Sequence, residues 1–167
     1  MEITISKGQA EDRIAICHAD GRRVETTFPK KGFIPHDAVH VFVERELGLK
    51  DAFWGMVKAG RHPEGIAGIA KAAGHASASR NTVPDASIVE LLQAERLVEC
   101  FEADQWSSGS GAAADLIAMA EVACHASHVP LPGLDAAQVA AIRSHITAFA
   151  SEWMAAPLGH VARFDWE

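Results

Sequence analysis

Four side chains capable of chemistry fall within one nine-residue stretch: His36, Asp37, His40 and Glu44. Histidines at i and i+4 of a helix stand one turn apart, a rise of about 6 Å, and can grip a single metal ion between them. Read literally, His36-Asp37-Ala38-Val39-His40 is H-D-x-x-H, a shortened counterpart of the zincin motif H-E-x-x-H. The expected cofactor is therefore a divalent metal such as zinc, held by His36 and His40, with Asp37 as general base or as an anchor behind the ligands. Aspartate is one methylene shorter than glutamate, so Asp37 needs a backbone shift or a bridging water to act on a water at the metal. Glu44 lies about 12 Å along the axis from His36. That makes it a poor third ligand at the His36 end and a better orienting partner for His40 Nδ1, or a ligand to an ion held nearer His40.

A helix must position these groups. At 100° per residue, Val39, Val43 and Leu47 form one row with His36 and His40 beside it, so both imidazoles point toward the interior. The same residues admit a purely structural reading. Pro35 suits the first turn of a helix, where Asp37 would complement the positive end of the dipole, and inward-facing histidines are often satisfied by backbone carbonyls.

Pro35-His36-Asp37 through Glu44, followed by Leu47-Gly48 and Phe53-Trp54-Gly55, resembles the signature of an uncharacterised bacterial protein family. In that family a P-x-H-D-L-T-H-Y-x-V-E type segment precedes L-G and G-F-Y-G. The likeness spans about residues 28 to 60. This chain has no residue between Pro35 and His36, and carries Ala38-Val39 in place of Leu-Thr. The resemblance implies that His36, Asp37, His40 and Glu44 make a real site, and implies nothing about substrate.

Composition narrows the classes. The chain has 167 residues, 49% hydrophobic and 22% charged, a profile expected of one soluble globular domain spanning 1–167. No run of about 18 apolar residues exists and Met1-Glu2-Ile3-Thr4 does not open a secretory leader, so a cytoplasmic protein with no membrane partner is expected. Cys17, Cys100 and Cys124 are odd in number and unpatterned, which suits free thiols. The net charge of −7 is uneven: residues 1–80 hold 12 basic and 10 acidic side chains, residues 81–167 hold 3 and 12. A nucleic-acid groove needs clustered Lys and Arg, so no nucleic-acid partner is expected.

Along the chain, alternation at Ile3 and Ile5, at Ile14 and Ile16, and at Val24, Thr26 and Phe28 after Asp20-Gly21 predicts a β-meander over 1–31. The His-bearing helix and a short second helix capped by Asp51 occupy 35–60, with Phe53 and Trp54 as core anchors. Arg61 to Gly65 reads as a break. Residues 66–79 read as a weak helix or a flap that carries His75. A helical part follows over 85–156. In its first helix Ile88, Leu91, Leu92, Leu97, Val98 and Phe101 turn inward, while Glu90, Glu95, Glu99, Glu102 and Asp104 form a solvated acidic face. Residues 107–111 are a linker. In the next helix Glu121, His125 and His128 are the candidates to complete a metal site begun by His36 and His40. Gly109-Ser110-Gly111-Ala112-Ala113-Ala114 fits G-x-G-x-x-A only formally, because a helix precedes it. The last helix, within 135–156, carries Val139, Ile142, Ile146, Phe149 and Trp153 at spacings of three and four, a seam for a neighbouring helix or a second copy of the chain. Residues 160–166 alternate and form a candidate terminal strand.

The expected fold is α+β: an N-terminal antiparallel meander of three or four strands, joined by a C-terminal strand and covered by four to six helices. The expected function is a small metal-binding protein acting as a metal-dependent hydrolase on a small-molecule substrate. The alternative is a non-catalytic interaction module, a homodimer through helix 135–156 with a structural His-bearing helix.

Overall fold

Alternating isoleucines set the sheet. The computed structural model describes residues 1–74 and 83–167. Ile3 and Ile5 on β1 (Glu2–Ser6) and Ile14 and Ile16 on β2 (Glu11–Cys17) share one face and are all buried. A side-chain period of two turns the residues between them the other way. β3 (Arg23–Pro29) follows a turn whose Gly21 has φ of 86°, a region that favours glycine. The strands pair antiparallel, with Ile3 opposite Ile16, Ile5 opposite Ile14 and Ile16 opposite Val24. β4 (Val161–Asp165) returns to the free edge of β1, with Phe164 opposite Ile3, giving the order β3-β2-β1-β4.

Six helices among the described residues complete an α+β fold: α1 (His36–Leu47), α2 (Phe53–Lys58), α3 (Pro63–Gly74), α4 (Val89–Trp106), α5 (Ala113–Ala126) and α6 (Ala136–Ala155). One apolar cluster unites the four isoleucines with Val39 and Val43 of α1, Trp54 of α2, Leu97 and Phe101 of α4, and Ile142 and Trp153 of α6. α1 is the hub, packed on α2, α4 and α6. It ends at Gly48, whose φ of 64° lets its N–H reach back to the last turn. Lys7 ties the sheet to α6 by donating to the carbonyls of Trp153 and Ala156, each at 2.7 Å, in the last turn where helix carbonyls lack partners.

Several boundaries differ from the sequence expectation. The break at 61–65 is shorter, because Pro63 opens α3 at a position where its missing N–H costs nothing. α2 is preceded by Ala52 without a side-chain cap, and the Asp51 amide instead donates to Glu90. α4 follows a 3-10 turn, Ala86–Ile88, that Asp85 caps through the Ser87 N–H. α6 opens on a reciprocal capping box between Asp135 and Gln138. Residues 107–111 join two helices packed on each other, and Arg143 of α6 braces them by donating to Asp104 and to the Gly111 carbonyl. In the α6 seam Val139, Ile142, Ile146 and Trp153 are buried in the molecule's own core, the neighbour-packing use of the two the spacing allowed. No helix among the described residues is long and apolar enough to cross a membrane.

Candidate metal centre

The site is built on facing turns of α1 and α4. α1 carries His36 and His40 on its inward side, and their Nε2 atoms lie 3.2 Å apart with ring centroids at 4.9 Å. Glu95 of α4 faces them, its two carboxylate oxygens each 3.7 Å from one of the two Nε2 atoms. Ligand atoms of His36, His40 and Glu95 all fall within 4.8 Å of one another.

Behind the rings stand two more carboxylates. Glu102 lies 2.9 Å from His36 Nδ1, and Glu44 lies 2.8 Å from His40 Nδ1. Glu44 is fully buried, and its second oxygen accepts the Trp54 backbone N–H at 2.9 Å. The Trp54 indole N–H in turn donates to the Asp37 carbonyl at 3.1 Å. α2 is brought close enough for this by Gly55, where a Cβ would stand 1.7 Å from the Lys50 carbonyl oxygen. The segment from Pro35 to Gly55 is thus one unit that fixes the His40 ring, with Phe53 tilted against it at 5.5 Å between centroids.

These partners decide where protons sit. A carboxylate on each Nδ1 holds the N–H there and leaves the opposite nitrogen as a lone pair. Two lone pairs and the Glu95 carboxylate then converge on one point, an arrangement that requires a cation. A proton on His36 supplies one: burial works against its charge, but Glu102 and Glu95 outweigh that and push it up to about 10. Burial likewise opposes ionisation of Glu95, yet the hydrogen bond from His36 and the charges of both rings bring it down to about 2. Burial raises the Glu44 carboxyl, against the pull of His40 and the Trp54 N–H, and raises that of Asp37, against the charges of His36 and His40.

The donor geometry fits a metal ion equally. With metal–nitrogen bonds of about 2.0–2.1 Å and a tetrahedral angle, two ligating nitrogens lie about 3.3 Å apart, close to the separation found here. A single Glu95 oxygen lies within 4.8 Å of both nitrogens, so the carboxylate would close by up to about 1.5 Å on the farther one to reach the same geometry. Two His and one carboxylate leave further coordination positions open, and the opening is a cleft of about 460 Å³. Asp37, half-buried, also lines that cleft.

Comparison with protein-family models, with curated proteins and with solved structures finds no match. The site is therefore read from its own geometry.

Of the residues singled out by spacing, His36, Asp37, His40 and Glu44 are brought together. Glu121, His125 and His128 are not. All three are exposed, on α5 or just beyond it, and α5 packs on α4 and α6, so they do not join the histidine pair. His75 lies outside the described residues. The third candidate ligand, Glu95, and the His36 partner, Glu102, belong to the α4 face expected to be solvated. A signal existed: Leu91, Glu95, Val98 and Glu102 succeed one another at spacings of four, three and four, which puts both carboxylates in line with two buried apolar residues.

Proposed function

We propose that this protein binds one divalent metal ion, zinc best suiting the donor set, through His36, His40 and Glu95, and uses it to hydrolyse a small molecule bound in the adjoining cleft. The observation that carries this reading is the convergence of two Nε2 atoms and one carboxylate, with a second carboxylate on the Nδ1 of each ring, where it favours the ligating tautomer. A structural histidine pair needs no second carboxylate on each ring and no open cleft beside it. Bound there, a divalent ion supplies Lewis-acid activation of water and substrate. The chain's own residues do the rest. Glu44 and Glu102 orient the rings, and Asp37, whose carboxyl burial raises above its ordinary value, would accept a proton from water in the cleft.

Metal analysis of protein purified without a His-tag and reconstituted with zinc tests the reading. About one equivalent is expected in the parent, falling to roughly a tenth in Glu95→Gln and His40→Ala. Sub-stoichiometric metal in the parent, or equal content in all three, removes it. Hydrolysis of 4-nitrophenyl esters by the zinc-loaded protein, lost in Asp37→Asn while the metal is retained, tests the reaction class.

A further inference from the structure

The walls of the cleft set four cations among four carboxylates, Asp12, Asp37, Glu95 and Glu99. The protein is acidic, with a net charge of −7 and 15 basic residues in all, yet Lys30, Lys31, Lys71 and Arg96 line this one opening. Two of them are restrained by acids of the same wall: Lys30 pairs with Asp12 at 2.8 Å and Arg96 with Glu99 at 2.9 Å. The buried Nε–H of Arg96 has no acceptor among the described residues. Lys31 is exposed and stands where its charge acts on both Asp37 and Glu95, beside the proposed metal ligands. Lys71, also exposed, approaches from α3 on another wall. Phe28 and Phe53 add apolar lining to the same cleft.

We infer that the cleft takes a small molecule bearing an oxyanion, a carboxylate or a phosphate monoester, on a compact apolar body. Lys31 and Lys71 receive the anionic group and Phe28 and Phe53 contact the body. This rests on the proposed metal site and names the substrate class for it. A volume of about 460 Å³ suits a metabolite-sized ligand. The charge also bears on selectivity: Asp37 and Glu95 would repel an anion from the metal, and the Lys31 charge that acts on both offsets this.

The test uses the full chain loaded with cobalt(II), whose visible absorption reports any anion that reaches the metal. Inorganic phosphate and acetate are titrated separately into the parent, the double variant Lys31→Gln/Lys71→Gln, and Lys58→Gln, which removes an exposed cation of α2 outside the cleft. Saturable spectral change in the parent is expected, with affinity for the better anion roughly tenfold weaker in the double variant and unchanged in Lys58→Gln. Cobalt affinity is expected to hold or rise in the double variant, which shows that the site remains intact. The preference between phosphate and acetate identifies which oxyanion the cleft takes. Equal anion affinity in all three proteins, or no saturable change while cobalt is bound, overturns the inference and leaves the metal site standing. Failure of the parent to bind cobalt overturns both.

Discussion

The His40 ring is held by a carboxylate that is itself held. Glu44 has a donor on each oxygen, and both come from residues within the 35–55 unit. Replacing Glu44 with Gln keeps the shape and an acceptor for Trp54 but removes the charge that fixes the Nδ1 proton. Metal affinity is expected to fall by about 10- to 100-fold in Glu44→Gln, measured by competition with a chromogenic chelator, with the far-UV circular dichroism unchanged. An unchanged affinity would mean that the carboxylate serves only the fold. The ion pair between His36 and its two carboxylates also makes the metal-free protein pH-sensitive. The folded state holds His36 at about 10 against 6.5 unfolded, so its contribution is complete below pH 6.5 and vanishes as pH climbs through 10. Glu95 sits at about 2 against 4.5, so its share is present above pH 4.5 and is lost as pH falls through 2. Chelator-treated protein is thus expected to gain most from this pair between pH 4.5 and 6.5, and to lose roughly 5 °C of Tm or more by pH 9.5. Glu95→Gln should flatten that slope. A parent Tm that rises over this interval would contradict the assignment.

At the scale of elements, the glycines after α1 serve position rather than flexibility. Gly55 lets α2 lie against the Lys50 carbonyl, and that approach delivers the Trp54 amide to Glu44. Gly55→Ala is expected to cost about 1–3 kcal/mol or more in urea unfolding, because backbone must move to admit the methyl, and to weaken metal binding with it. Stability without loss would show that α2 can shift freely. The helix carrying His36 and His40 was legible from Val39, Val43 and Leu47 at helical spacing with a glycine stop after them. The first two strands were legible from four alternating isoleucines, the third from Val24, Thr26 and Phe28, and the last from the alternation over 160–166. Glu95 and Glu102 were not assigned to the site, because a helical face rich in Glu reads as solvated until the helix packed against it is known. Glu121, His125 and His128 had suitable spacing but lie exposed on α5 or just beyond it, and α5 packs chiefly on α4 and α6. Spacing within one helix is local information; which two helices face each other is settled by long-range packing.

Across the whole molecule, the apolar stripe of α6 belongs to the core. Ile146 is 2% exposed and packs in the same cluster as the sheet. Ile146→Glu is therefore expected to unfold the protein, losing roughly 3 kcal/mol or more, because the carboxylate would have no buried partner. Circular dichroism and size-exclusion chromatography check this together: a folded monomer arising from a larger parent species would return α6 to the role of a contact between copies. The arrangement of the sheet has a temporal corollary. β1 occupies an inner position only because β4 pairs along its outer edge, with Phe164 beside Ile3 across more than 150 residues of chain. On the ribosome the amino-terminal hairpins can form early, yet one side of β1 stays unpaired until residues 161–165 have been synthesised. Completion of the sheet consequently waits on a segment more than 150 residues downstream, and until it emerges the nascent chain carries an open strand edge.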